Sequence, residues 1–102
     1  ADLLSKLRAS PQWKDMVIVL TYDENGGYWD HVPPPTGPGW GDRWGPGTRI
    51  PALLIGPHVK RGYIDSTPYD TTSILKFITQ RFGLEPLPGI RANMGNLSGA
   101  LQ

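Results

Sequence analysis

The sequence predicts an α/β protein whose elements follow the order helix, strand, long loop, strand and helix. Two almost unbroken apolar runs, residues 16–22 and 50–56, are typical of strands covered on both faces, as in parallel sheets. Apolar residues at helical spacing flank these runs, in residues 2–9 and 69–82. Because two strands do not make a covered sheet, we expect either an intimate oligomer or a fragment of a larger domain, and we favour the fragment.

The first helix is predicted over residues 2–9, where Leu3, Leu4 and Leu7 fall on one face. Ser10-Pro11 ends it, because the residue before a proline is pushed out of the α region. The first strand follows, and its content of Val and Ile argues against a helix.

The long loop covers residues 23–49 and holds seven glycines and five prolines, so no helix or strand of useful length fits. A structureless stretch of this length is generally functional or disordered. Its large aromatic residues argue against disorder and predict an ordered, packed loop. They are Tyr28, Trp29, Trp40 and Trp44. We interpret the last two as anchors of the loop in preference to pocket lining.

The second helix is predicted over residues 69–82. Thr67 can cap it, and Asp70 suits the positive end of the helix dipole. Gly83 is a good stop, because glycine readily adopts the left-handed conformation that ends helices. The tail, residues 84–102, shows little periodicity.

Composition excludes several function classes. The 102 residues suffice for one domain at most, and a net charge of +1 argues against a nucleic-acid binder, which normally carries a basic stripe. There is no cysteine, so disulfides and thiolate metal sites are excluded, while oxygen and imidazole ligands remain possible. No apolar run approaches the ~20 residues of a membrane span. No secretion signal is visible at the start of the sequence.

The clearest chemistry stands at the carboxyl end of the first strand, where open α/β sheets bind ligands. Asp23 and Glu24 are adjacent carboxylates, which repel each other unless a cation neutralises them. Oxygen ligands suit Ca²⁺, Mg²⁺ or Mn²⁺, and a nearby histidine would also admit Fe or Zn. Gly26 and Gly27 allow a sharp turn. An ordinary Asp-rich turn is the equal alternative. An EF-hand is rejected, because Tyr28 occupies the position of its required glycine.

Other polar residues of the loop are candidates for contacts with a substrate. His31 is near two carboxylates and could serve as a general acid or an oxyanion donor, although a lone histidine is more often structural. Arg43 and Arg49 could each bind an anionic group through two N–H groups of the guanidinium. For Arg49, however, the favoured interpretation is a charged residue at the edge of a strand. Asn25 and Arg43 are assigned to substrate binding. His58 has no acidic neighbour and is predicted to be structural.

Residues 33–35 are three consecutive prolines, which could form a polyproline ligand for a partner domain. Aromatic residues on both sides favour internal packing instead. The alternative function is therefore a non-catalytic Pro/Trp-rich binding module that binds a partner through residues 33–44. A weaker third hypothesis is an oligomeric structural protein whose strands pair across subunits.

Residues 21–34 read TYDENGGYWDHVPP and resemble the C-terminal signature of the bacterial and plant phosphoesterase family. That family includes non-specific phospholipases C and related acid phosphatases. Residues 49–57 resemble its next strand, and residues 69–78 with 81–84 resemble its final helix. The resemblance extends over residues 10–90, most of the chain.

The resemblance implies an alkaline-phosphatase-like α/β/α sandwich, present here as a fragment. Residues 1–102 would be the C-terminal segment of a single phosphoesterase catalytic domain. The implied activity is metal-dependent hydrolysis of phosphoric esters, of the phospholipase C or acid phosphatase type. Asp23 and Glu24 stand at the place of the family's acidic metal-ligand pair, which implies one divalent or transition metal ion as cofactor.

The family's nucleophile and its Glu-Asn metal pair lie upstream and cannot be placed in these residues, so the isolated fragment is expected to be inactive. His31 would position Asp30 or Glu24, or protonate a leaving group. The implied partners are a phosphate-ester substrate, phospholipid or phosphomonoester, and the rest of the chain's own catalytic domain. No nucleic-acid partner is expected. The family resemblance implies a secreted or periplasmic location.

Overall fold

The computed structural model describes residues 1–36 and 46–102. These residues form a small mixed α/β structure with two α-helices and one two-stranded sheet. No helix in this part of the chain is long and apolar enough to cross a membrane. The elements in chain order are helix α1 (Asp2–Ala9), a 3-10 helix (Pro11–Asp15), strand β1 (Ile18–Thr21), strand β2 (Ala52–Ile55), helix α2 (Thr72–Phe82) and a second 3-10 helix (Ser98–Ala100).

Strands β1 and β2 pair in antiparallel fashion, with Ile18 opposite Ile55 and Thr21 opposite Ala52. The parallel arrangement that the apolar runs suggested is therefore wrong for this pair. The strands are also not covered on both faces by the described residues, because Leu20 is 52% exposed and Leu53 is 58% exposed. The physical reason is that an unbroken apolar run indicates that a strand needs cover, but it carries no information on the direction of the neighbouring strand.

Helix α1 has the predicted bounds and stops where Ser10 adopts an extended conformation. The Ser10 side chain accepts a hydrogen bond from the Gln12 backbone N–H at 3.2 Å and thereby caps the following 3-10 helix. The His58 Nε2 atom lies 2.7 Å from the backbone oxygen of Lys14, in this 3-10 helix. His58 thus ties two distant segments together, in keeping with the structural role predicted for it.

Helix α2 begins at Thr72, three residues later than predicted, and its start is set by Asp70. The Asp70 Oδ1 atom accepts a hydrogen bond from the Thr72 N–H at 2.9 Å, and the Ser73 Oγ atom accepts one from the Asp70 N–H at 3.1 Å. These reciprocal bonds satisfy amide groups that the first turn leaves without helical partners. Thr67, the predicted cap, lies too far before the helix. Gly83 ends it in the left-handed conformation, with φ 61° and ψ 37°, as predicted.

The tail after α2 supplies most of the buried apolar side chains. Within the described residues the buried apolar side chains are Val59, Met94, Leu97 and Ala100. The last three belong to the tail. The last residues run antiparallel to residues 58–60, since the Lys60 N–H donates to the Ala100 oxygen at 2.9 Å and the Gln102 N–H donates to the His58 oxygen at 2.8 Å. The tail therefore packs back onto the segment that follows β2, although its sequence shows little periodicity.

The described part of the long loop is less packed than predicted. Tyr28 is 81% exposed and Trp29 is 76% exposed, so the prediction of packed aromatic residues is wrong for these two. The reason is that aromatic residues in a loop argue against disorder but do not specify which residues will cover them. Trp40 and Trp44, the predicted anchors, lie outside the described residues.

Candidate metal and substrate site

Residues 23–27 form a tight turn directly after β1, which we term the acidic turn. The backbone reverses through Gly26 and Gly27, whose φ angles are 60° and 82°. The turn closes where the Tyr28 N–H donates to the Asn25 oxygen at 2.9 Å. Two consecutive positive φ angles are costly for any residue with a Cβ, so this turn requires its glycine pair.

The carboxylates of Asp23 and Glu24 are exposed and hydrogen-bond to the backbone of the acidic turn itself. The Asp23 Oδ1 atom accepts from the Glu24 N–H at 3.1 Å, and the Glu24 Oε2 atom accepts from the Gly26 N–H at 2.8 Å. One oxygen of each carboxylate is thus held in place, while the other is engaged by no other described residue. Two hard oxygen donors of this kind suit a divalent cation.

The side chain of Thr48 connects the acidic turn to the segment before β2. The Asn25 Nδ2 atom donates to Thr48 Oγ1 at 2.7 Å, and Thr48 Oγ1 donates to the Tyr28 backbone oxygen at 3.1 Å. The Asn25 Oδ1 atom in turn accepts from the Gly27 N–H at 2.9 Å. The first two bonds join Asn25 and Tyr28, the residues on either side of Gly26 and Gly27, to one hydroxyl group.

An ion pair provides a second connection between the loop and the approach to β2. The Arg49 guanidinium donates to Asp30 Oδ2 through Nε at 2.7 Å and also through Nη2. The Val32 N–H donates to the other oxygen, Asp30 Oδ1, at 2.9 Å. These hydrogen bonds, that from Arg49 above all, hold the pKa of Asp30 below its usual value of 3.8. Two nitrogens of the Arg49 guanidinium bond to Asp30. This favours a structural role for Arg49 over a role in binding an anionic group.

An open cavity of about 460 Å³ lies beside the acidic turn. Its wall combines aromatic rings with polar groups of the two connections described above. The residues that line it are Tyr22, Asn25, Tyr28, Trp29, Asp30, Arg49, Ile50 and Pro51. Asn25, which the sequence assigns to substrate binding, is among the residues that line this cavity.

The remaining candidate residues are less closely placed. His31 is exposed and follows Asp30 in a bend of the chain. Arg43, the second residue assigned to substrate, lies outside the described residues. Within the described ranges, no three histidine or acidic side chains converge as a metal site. Thr48 is not among the residues predicted from the sequence. Its only local signal is a hydroxyl group just before a strand, which is too common to be diagnostic.

The sequence model of the phosphoesterase family matches residues 1–85. The chain belongs to the phosphoesterase family. The matched residues include both strands, α2 and the acidic turn, so the predicted family membership is confirmed. Residues 86–102, which carry most of the buried apolar side chains, lie beyond the match.

Several curated relatives of this phosphoesterase chain carry the name phospholipase C. It is 32% identical over 129 residues to the non-hemolytic phospholipase C of Pseudomonas aeruginosa, a match that covers 96% of this chain and 19% of the relative. It is 36% identical over 100 residues to phospholipase C A of Mycobacterium tuberculosis, covering 78% and 19%. It is 36% identical over 88 residues to non-specific phospholipase C1 of Arabidopsis thaliana, covering 74% and 16%.

The phosphoesterase chain spans about a fifth of the length of the first two of these relatives. No solved structure matches it. The family match and the names of these relatives support phosphoric-ester hydrolysis at the level of the family.

Proposed function

We propose that this protein is a metal-dependent phosphoric-ester hydrolase of the phospholipase C or acid phosphatase type, and that these residues supply part of its metal site. One observation carries the proposal. A segment that matches the phosphoesterase family holds two exposed carboxylates in a tight turn at the end of a strand. Relatives with the printed name phospholipase C support a phospholipid or another phosphate ester as the substrate class.

In this proposal Asp23 and Glu24 hold one divalent or transition metal ion together with ligands from residues outside this chain. Their donor chemistry fits such an ion, because both are anionic oxygen ligands whose first oxygen is already oriented by a backbone amide. A metal ion bound here would neutralise charge on the phosphoryl group and activate the attacking hydroxyl.

The other residues have roles toward the substrate. The Asn25 amide lies in the wall of the cavity next to the acidic turn and is proposed to contact the ester. Arg43 is proposed to bind a phosphate oxygen, since a guanidinium group forks such oxygens. His31 is proposed to orient a neighbouring carboxylate or to give a proton to the leaving group. The nucleophile is proposed to come from upstream of these residues.

The proposal also concerns the fold of the protein of which these residues are a part. Residues 1–102 would be the C-terminal segment of one catalytic domain with an alkaline-phosphatase-like α/β/α sandwich. The exposed strand residues and the share of the relatives' length that the chain spans both support this. The rest of the domain would then be the partner that covers the sheet. A secreted or periplasmic location is proposed by analogy with the family.

The test is the variant Asp23→Ala in the intact protein, with Glu24→Gln as a second variant of nearly unchanged shape. Each should lower kcat on a phosphate ester about a hundredfold or more, because a metal ion contributes several kcal/mol to the transition state. Each should also weaken Mn²⁺ binding, measured by calorimetry, without lowering the melting temperature of the metal-free protein.

Asp15→Ala is the matched control, since its carboxylate is exposed and precedes β1, whereas the acidic turn follows that strand. It should keep the activity and the Mn²⁺ affinity of the wild type. Near-normal activity of both Asp23→Ala and Glu24→Gln would refute the metal-ligand assignment.

A further inference from the structure

We propose that Thr48 is a positioning residue for the acidic turn, and that its hydroxyl group sets how well Asp23 and Glu24 are presented to a cation. The inference rests on the proposed function, because it assumes that these two carboxylates bind a metal ion. It concerns a residue that touches neither the ion nor the substrate.

The hydroxyl of Thr48 acts as acceptor and donor at once. It accepts from Asn25 Nδ2 at 2.7 Å and donates to the Tyr28 backbone oxygen at 3.1 Å. Asn25 and Tyr28 bracket Gly26 and Gly27, so both ends of the reversal are attached to the same atom. A valine has the shape of threonine but can make neither bond.

The acidic turn needs such an attachment because of its composition. Its two glycines lose more conformational freedom on ordering than any other residue type would. Its carboxylates are exposed and, among residues 1–36 and 46–102, bond only to neighbouring amides, so they follow any movement of the backbone of the turn. The ion pair of Asp30 with Arg49 fixes the chain beyond the turn, whereas Thr48 is the connection that reaches the turn itself.

The carboxylates can bind a cation together only when the turn holds them in one arrangement, since affinity depends on ligands that are oriented in advance. Loss of the Thr48 hydroxyl should therefore act in two steps. It should first loosen the backbone of residues 25–28. As a consequence, it should weaken cation binding without removing any ligand.

The experiment compares Thr48→Val and Thr48→Ser in the intact protein. Hydrogen–deuterium exchange of the peptide over residues 24–30 is measured by mass spectrometry in the presence of EDTA. Exchange should accelerate about fivefold to thirtyfold in Thr48→Val, the range expected from the typical net free energy of one to two lost hydrogen bonds. Calorimetry with Mn²⁺ alone should show affinity weakened by a comparable factor. Thr48→Ser keeps the hydroxyl and should restore both values.

Thr71→Val is the matched control, because the Thr71 side chain makes no capping bond at the start of α2. It should leave exchange and Mn²⁺ affinity unchanged. Unchanged exchange in Thr48→Val would overturn the proposal, and so would faster exchange with unaltered Mn²⁺ affinity. Asp23→Ala in the same titration separates the two proposals. If that variant binds Mn²⁺ like the wild type, the metal-ligand assignment fails, while the exchange data still decide whether Thr48 orders the turn.

Discussion

At the scale of single residues, the carboxylates of this chain differ in their burial and in the groups that donate hydrogen bonds to them. Asp70 is a half-buried carboxylate that accepts from the Thr72 N–H and hydroxyl and from Arg91 Nη1 at 2.7 Å. Burial would raise the pKa of Asp70, but the hydrogen bonds from Thr72 and Arg91 outweigh burial and lower the pKa below its usual 3.8. Within the described part of the chain, Asp23 and Glu24 each accept a hydrogen bond from a backbone amide of the acidic turn.

The lowered pKa of Asp70 predicts a pH-dependent stability. Because the folded pKa lies below the unfolded one, the stabilisation is fully present above the unfolded value near 3.8 and is lost as the pH falls through the folded value. Asp70→Asn should therefore reduce the free energy of unfolding at pH 6 by about 1–3 kcal/mol, since hydrogen bonds to a charged group are lost. Urea titrations between pH 2.5 and 7 should show this difference shrinking below pH 4.

Asp15→Asn is the control for that series. Its carboxylate is 76% exposed, with Lys14 Nζ at 3.7 Å, so the change should stay within about 1 kcal/mol at every pH. A difference between wild type and Asp70→Asn that is the same at all pH values would contradict the assignment.

At the scale of elements, the position of the sheet depends on a close approach at the end of β2. Gly56 follows Ile55, and a Cβ added to Gly56 would lie 2.4 Å from the backbone oxygen of Met16 and 3.4 Å from Val17 Cα. The chain that enters β1 therefore passes directly over a residue that has no side chain. The sequence shows a glycine at this point but not the neighbour that demands it.

Gly56→Ala is expected to destabilise the protein by about 1–3 kcal/mol or somewhat more, because the overlap is with backbone that cannot rotate away. Gly47→Ala is the matched control, since a Cβ there meets no described atom within 4 Å. That change should be neutral or stabilise by up to about 1 kcal/mol through the unfolded state. Melting temperatures of the two variants provide the measurement, and equal values would show that β2 does not pack against Met16 in this way.

At the scale of the whole molecule, the described residues bury little apolar surface for their length. The radius of gyration is 15.1 Å, against about 13 Å for a compact domain of 100 residues. Large apolar side chains on the sheet and on α2 remain exposed, among them Leu20, Leu53 and Phe82. A two-stranded sheet is marginal by itself. The buried side chains gather instead where the tail packs against residues 58–60.

A substitution of Met94 tests whether the tail contributes to the stability of the fold. Met94 is 5% exposed and lies beyond the residues that match the family. Met94→Ala should lower the free energy of unfolding by about 2–5 kcal/mol, the usual cost of a cavity left by a large side chain. Ile64→Ala is the control, because Ile64 is 87% exposed and its loss should cost within about 0.5 kcal/mol. Similar urea midpoints for the two variants would mean that the tail does not form the core.

Local signals predicted the parts of this fold that depend on near neighbours. The bounds of α1, the stop of α2 at Gly83 and the turn after β1 were predicted because a proline, a left-handed glycine and a glycine pair act on their own backbone. The start of α2 was misplaced, because both Thr67 and Asp70 are good caps in sequence and only the observed bonds choose between them. The family was recognised from the residues of the acidic turn and its surroundings.

The sequence alone determined where the helices, the strands and the acidic turn lie along the chain, apart from the start of α2, together with the family to which the chain belongs. The tertiary structure decided the antiparallel direction of β1 and β2, the burial of the tail and the attachment of the acidic turn to Thr48. The reason is distance along the chain. Thr48 and Asn25 are 23 residues apart, and no local preference of either residue specifies that the two will meet.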